Sequence, residues 1–222
     1  MGFSCHEEMR ERFSGLKTHA CAWVLVMALC ASAQAVIIFT ESFEDPAVTG
    51  FTNTNPTGWT ELGGGSAGGI NDEDTGAFTT PYGSQVAWAN GTNQFITSGS
   101  ILSDVLTAAT TYTLDFNIAK RNTLSGGTYR VELLAGATVL ATVTGTPLLS
   151  DFSESDQIVF TPDGSHAALL GQTLAIRFGT DGSFQPQFDN FILDATAVPE
   201  PSAACLLGLA ACGLLIRRSR HR

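Results

Sequence analysis

Thr111-Tyr112-Thr113-Leu114-Asp115-Phe116-Asn117-Ile118-Ala119 decides the fold. Tyr112, Leu114, Phe116 and Ile118 alternate with Thr111, Thr113, Asp115 and Asn117, the period of two that sends one set of side chains to a core and the other away from it. Leu174, Ile176 and Phe178, alternating with Ala175 and Arg177, form a second such ridge. Around them, short β-branched and aromatic runs are separated by Gly, Asn, Asp, Thr and Ser clusters, the spacing of a sandwich. Strands are predicted at 36–43, 58–62, 85–89, 94–97, 111–119, 128–134, 138–144, 157–161, 174–179 and 188–195. Ala135-Gly136-Ala137 reads as a tight hairpin pairing Val131–Leu134 with Val139–Val143, and Ser125-Gly126-Gly127 as another turn. The run Gly63-Gly64-Gly65-Ser66-Ala67-Gly68-Gly69 reads as a surface loop. The reading is all-β: one antiparallel sandwich with the jelly-roll form, at residues 36–197, flanked by an N-terminal leader and a single C-terminal hydrophobic helix.

The flanks carry address signals. Arg10, Arg12 and Lys17 precede an apolar run from Ala20 to Ala31 and small-x-small sites at Ala31-Ser32-Ala33 and Ala33-Gln34-Ala35, a secretory signal peptide over residues 1–35. Glu7 and Glu8 are foreign to a basic leader, and a start at Met9 would remove them. At the other end, Val198-Pro199-Glu200-Pro201-Ser202 leads into an apolar run, Ala203 to Ile216, and then Arg217, Arg218, Arg220 and Arg222. The prolines hold the segment extended. The 14-residue run spans about 21 Å as a helix, short of the roughly 30 Å hydrocarbon core, and the arginines hold its end on the cytoplasmic side.

This order of motif, helix and arginine cluster at residues 198–222 resembles the PEP-CTERM sorting signal. The resemblance implies recognition by an exosortase after export by the Sec machinery, transient residence in the inner membrane of a Gram-negative, exopolysaccharide-producing host, and delivery to the cell surface or extracellular matrix. Between the signals, 17 acidic residues face four basic ones, Lys120, Arg121, Arg130 and Arg177, a balance that repels nucleic acid. Cys5, Cys21, Cys30, Cys205 and Cys212 all lie in the signals, so the central domain holds no disulfide, thiol nucleophile or Cys-based metal site.

The central domain is similar to the galactose-binding-like jelly rolls of carbohydrate-binding modules. The likeness lies in Glu41-Ser42-Phe43-Glu44 with Gly58-Trp59, in Phe160-Thr161-Pro162-Asp163-Gly164 ahead of Leu174–Phe178, and in the closing Phe188-Asp189-Asn190-Phe191-Ile192-Leu193-Asp194. It implies a structural calcium held by Glu44 and Asp189. Asp189 draws attention independently, because strict alternation puts it on the face of Phe191 and Leu193, where a buried carboxylate needs a cation or donors. Asp72 and Asp74, in Asp72-Glu73-Asp74-Thr75-Gly76, resemble part of a calcium turn but lack the distal Glu. Trp59, Tyr82, Trp88 and Phe184 are the aromatic candidates for stacking on a sugar ring.

Signals for catalysis are few. Gly64-Gly65-Ser66-Ala67-Gly68 fits the nucleophile-elbow pattern without its strand and helix. His166 is the one histidine between the signals, and it reads as a turn residue. Carboxylate pairs for glycoside hydrolysis leave no sequence trace. Asn90-Gly91-Thr92 matches a glycosylation acceptor. The expectation is a non-enzymatic exported protein with a structural or adhesive role; the alternatives are a carbohydrate-binding module that attaches the cell to polysaccharide, and a glycoside or ester hydrolase.

Overall fold

A computed structural model describes residues 34–62, 68–72, 82–91, 94–99, 102–121, 128–181 and 185–198. Residues 1–33 of the signal peptide, Pro199–Ser202 and the arginine cluster lie outside them, as do Asp74, Phe184 and the turn at Ser125–Gly127.

Among the described residues, eleven strands build two antiparallel sheets. The first holds β1 (Ala35–Glu41), β3 (Gly68–Asp72), β4 (Gln85–Ala89), β6 (Thr110–Lys120), β9 (Glu154–Phe160) and β11 (Pro186–Ala197). Its order is β3-β4-β11-β6-β9, with β1 also paired to β11. The second holds β2 (Thr60–Leu62), β5 (Gln94–Thr97), β10 (Leu174–Thr180), β7 (Tyr129–Ala135) and β8 (Thr138–Gly145), in the order β2-β5-β10-β7-β8. Alternation makes the core: Tyr112, Leu114, Phe116 and Ile118 of β6 meet Leu174, Ile176 and Phe178 of β10, all buried. An aromatic cluster of Phe43, Trp59, Phe178, Phe188 and Phe191 fills its centre, with Phe43 edge-on to Phe191 at 5.5 Å and Trp59 5.2 Å from Phe178. Such pairs add about 1 kcal/mol each beyond the area they bury. The β7–β8 hairpin turns at Gly136, φ +57°, and pairs Val131 with Val143 and Leu134 with Val139, the register the sequence implies.

Strands β3 and β11 depart from the sequence reading. Gly68 and Gly69 are not loop but the start of β3, and both are buried. They are glycines for steric reasons: a Cβ on Gly68 would meet the Trp88 carbonyl and the Ile96 side chain, and one on Gly69 would meet the Thr52 carbonyl. Close approach, not flexibility, selects glycine here. The other departure is in β11. Its pairing with β6 shifts between Asp189 and Ile192, and Asn190 takes φ +52°, the mark of a β-bulge. The extra residue lets Phe188 and Phe191 both enter the core. Asp189 is thereby turned to the opposite, outer face, where strict alternation had put it inward.

A 3₁₀ helix at Gly164–Leu169 follows β9 and was not foreseen. Asp163 caps it, accepting from Ser165 N at 2.9 Å, while His166 Nδ1 accepts from Asp163 N at 3.2 Å.

Candidate active site on the outer face of the six-stranded sheet

The pairing registers lay out the outer face of β3, β4, β11 and β6. One row carries Gly69, Trp88, Gln187 and Ala119, each paired with the next. Beside it stand Asn71, paired with Val86, and Asp189, paired with Asn117. All of these side chains are buried: Asn71, Asn117, Gln187 and Asp189 are 1%, 8%, 0% and 0% exposed.

Two segments flank the patch. On the β3 side, residues 50–52 add a short stretch of pairing, with Thr52 N donating to Ile70 O at 3.1 Å and Phe51 bridged to Asn71. The Gly69 clearance lets Thr52 pass close enough for Trp88 Nε1 to donate to its carbonyl at 3.0 Å. Phe51 stacks on Trp88 at 4.3 Å, and the Arg121 guanidinium lies 4.6 Å from the Phe51 ring centre. Arg121 also donates to Gln185 Oε1, so it ties the end of β6 to the approach to β11. On the other side, Leu148–Glu154 folds back: Lys120 N donates to Leu149 O at 2.8 Å, and Phe152 packs on Val86 and Ala119. Phe152 is buried at φ +56°, a conformation costly for a bulky residue and kept here because Asn117 Nδ2 donates to its carbonyl at 2.9 Å. Asn117 in turn accepts from Asn190 Nδ2 at 3.0 Å, and Asn190 N donates to Asp189 Oδ1 at 2.7 Å. The bulge therefore orients the carboxyl, and the Asn117–Asn190 link fixes the bulge.

Asp189 is the sequence candidate that this patch contains, with Trp88 at its wall. Trp59 lies between the sheets, 5% exposed, its Nε1 donating to Glu41 Oε2 at 3.1 Å. Tyr82 is 36% exposed and precedes β4. Asp72 ends β3, paired with Gln85. Glu44 is exposed, and its carboxylate accepts from Ser84 N at 3.0 Å, Ser84 Oγ at 2.9 Å and Gln85 N at 2.9 Å. Three donors point where a cation would bind, and among the described residues no three His, Cys, Asp or Glu side chains gather around a common point. His166 has Asp163 Oδ1 at 2.8 Å and Ser165 Oγ at 3.3 Å, both against the same nitrogen, Nδ1, whereas a nucleophilic triad divides them between the two ring nitrogens. It packs edge-on against Phe160 at 5.0 Å and closes a cap.

Asn71, Gln187, Phe51 and Phe152 escaped the sequence reading. Asn71 and Gln187 stand on the sheet face and Phe51 and Phe152 on the segments folded back over it, and no local pattern encodes that meeting.

Comparison with known proteins supplies the family. The HpiC1-like model, described as HpiC1 cyclase, matches residues 34–194. Among solved structures, the Stig cyclase Fisc of Fischerella sp. TAU, in complex with (3Z)-3-(1-methyl-2-pyrrolidinylidene)-3H-indole, is 26% identical over 75% of this chain and 100% of that one, TM-score 0.63. A cyclase from Fischerella sp. TAU in complex with 4-(1H-indol-3-yl)butan-2-one is 25% identical over 74% and 100%, TM-score 0.61. The CBM22-1 xylan-binding domain of Paenibacillus barcinonensis also matches, at 16% identity over 77% and 99% with a TM-score of 0.45, a level that bears on neither ligand nor activity. No curated protein matches. The family match overturns the expectation of a non-enzymatic structural or adhesive protein, because the family model that covers the sandwich is that of a cyclase. Sequence patterns missed this: a single buried carboxyl on a strand leaves no motif. The match spans strands of both sheets, and by it the chain belongs to the HpiC1-like cyclase family.

Proposed function

We propose that this protein is a cyclase that closes a ring on an indole-bearing substrate with an unsaturated side chain, using Asp189 as the proton donor. The observation that carries the proposal is the wholly buried Asp189 carboxyl on the outer face, in a patch whose nearest members in the strand pairing, Asn117, Gln187, Trp88, Val86 and Ala119, are amide, aromatic and aliphatic. Ring closure of this kind needs one acid and no water. Asp189 gives its proton to the alkene carbon, forming a C–H bond and leaving a carbocation on the neighbouring carbon. The π-electrons of the aromatic ring attack that cation, forming the new C–C bond. The ring then loses a proton to the Asp189 carboxylate, so product and substrate are isomers and the acid is regenerated. The aromatic walls, Trp88 with Phe51 and Phe152, suit a flat substrate and a developing positive charge. The bulge held by Asn117 and Asn190 keeps the carboxyl aimed. The indole character of the substrate is supported by the ligands of the two Fischerella cyclases.

The test is the full-length protein incubated with 3-alkenyl indoles, with the products followed by mass spectrometry and NMR. The expected result is an isomer of unchanged mass with one alkene fewer, lost in Asp189→Asn. Turnover that persists in that variant would overturn the role of Asp189.

Export of this activity is supported by the leader and by the Val198–Ser202 tail. On this reading the Sec machinery and an exosortase deliver the cyclase beyond the inner membrane. Cell fractionation in an exosortase-bearing host checks it: loss of the tail's mass from the extracellular protein is expected, and an intact cytoplasmic chain counts against it.

A further inference from the structure

The buried polar side chains divide into two groups. Gln85 Nε2 donates to Phe43 O at 3.0 Å and Pro46 O at 3.2 Å, and its Oε1 accepts from Val48 N at 2.5 Å. Ser98 Oγ accepts from Ile176 N at 2.9 Å, and Thr180 Oγ1 donates to Thr128 O at 2.8 Å. These groups are structural, each answered by the fold. Asn71 and Gln187 are different: among the described residues, both polar atoms of each carboxamide are buried with no hydrogen-bond partner. Leaving such groups unanswered costs stability, and natural chains accept that cost where a ligand answers them. Both stand on the outer face that holds Asp189. Gln187 lies two residues before it on the same face of β11, about 7 Å along the strand. Asn71 lies two strands away on β3, with Val86 and Trp88 of β4 between the two amides.

We propose that Gln187 and Asn71 are the substrate-reading groups of this site, Gln187 Oε1 accepting the ligand's ring N–H and Asn71 Nδ2 donating to an acceptor on its other side. The assignment rests on the indole reading above for the ligand's identity, but on the unpartnered amides alone for the claim that they face a ligand. It makes the enzyme selective for a substrate with a free N–H, because a site with an orphaned acceptor rejects an isostere that cannot donate to it.

Two measurements on the full-length protein separate the two claims. The first is melting without ligand. Gln187→Met keeps the length of the side chain and removes the amide, and Asn71→Leu does the same at the second position; both are expected to raise Tm. A fall in Tm for both would mean the amides are structurally answered and would overturn the proposal. The second is calorimetric binding of 4-(1H-indol-3-yl)butan-2-one against its benzothiophene isostere, which has the same shape without N–H. Wild type is expected to prefer the indole by about tenfold, and Gln187→Met to bind the two alike. A preference kept by Gln187→Met overturns the role of Gln187. Binding of neither probe, alongside raised Tm, overturns the indole reading and leaves the amides as the contacts of another ligand.

Discussion

The two outer faces of the sandwich handle buried polarity in opposite ways. On the five-stranded sheet, Glu132 is 4% exposed yet fully engaged: Arg177 Nε donates to Oε2, and Arg130 Nη1 lies 3.9 Å from Oε1. Arg130 pairs with Asp181 at 2.5 Å, and both guanidiniums lie over the Phe95 ring, at 5.2 and 5.1 Å. Each charge there is paired with another on the same face, although one oxygen of Asp181, Oδ1, is buried without a partner among the described residues. The six-stranded sheet instead keeps Asn71 and Gln187 unanswered beside Asp189. A face closed on itself stabilises the fold, whereas a face with open valences is built to be completed from outside.

The contrast can be broken by substitution. Asp189→Asn is expected to lower turnover of a 3-alkenyl indole by about a thousandfold, the usual worth of a general acid, while its thermal melt changes little. Glu132→Ala should do the reverse, costing about 3 kcal/mol in urea titration because the Arg177 charge is left without its carboxylate, with turnover intact. Comparable stability losses for both would erase the distinction between the faces. Gly69→Ala is expected to cost about 2 kcal/mol, since its Cβ drives into the Thr52 carbonyl, and to alter Trp88 fluorescence by displacing the segment that stacks Phe51 on it.

The smallest effect belongs to neither face. Asp163 is held at about 2, below its usual value of 3.8, first by the Ser165 hydroxyl and then by the Ser165 amide and His166. A carboxyl whose folded value is depressed adds stability that is full above about 3.8 and disappears as the pH falls through about 2. Asp163→Ala should therefore lower Tm slightly at neutral pH and match wild type in strong acid, and the exposed position makes the difference shrink with salt.

Tyr129 links the two sheets, reaching from β7 to donate to Asp156 on β9. Burial first, then that hydrogen bond, push its hydroxyl far above the ordinary tyrosine range, so it stays a donor at any pH the protein meets. Gly145 makes room for that ring.

Much of the fold was legible in the chain. Gln85–Ala89 and Gln94–Thr97 begin and end where their residues imply, and the Gly136 hairpin has its expected register. The site was less so. Asp189 stood out, but for a reason the bulge reverses, and the glycines at 68 and 69 signal a close backbone approach that is visible only once Thr52 is seen above them. Gln187 and Asn71 look like any polar strand residues, because an unanswered amide is defined by what fails to reach it.

What the sequence by itself determined is the set of strands and the core, since side-chain alternation is a local property of extended backbone and needs no knowledge of neighbours. Only the tertiary structure decided which face holds the chemistry. One inserted residue at Asn190 turns Asp189 from core to outer face, and folding-back lays Phe51 on Trp88 and Phe152 on Val86 and Ala119 of that face; both depend on pairings between residues far apart in the chain.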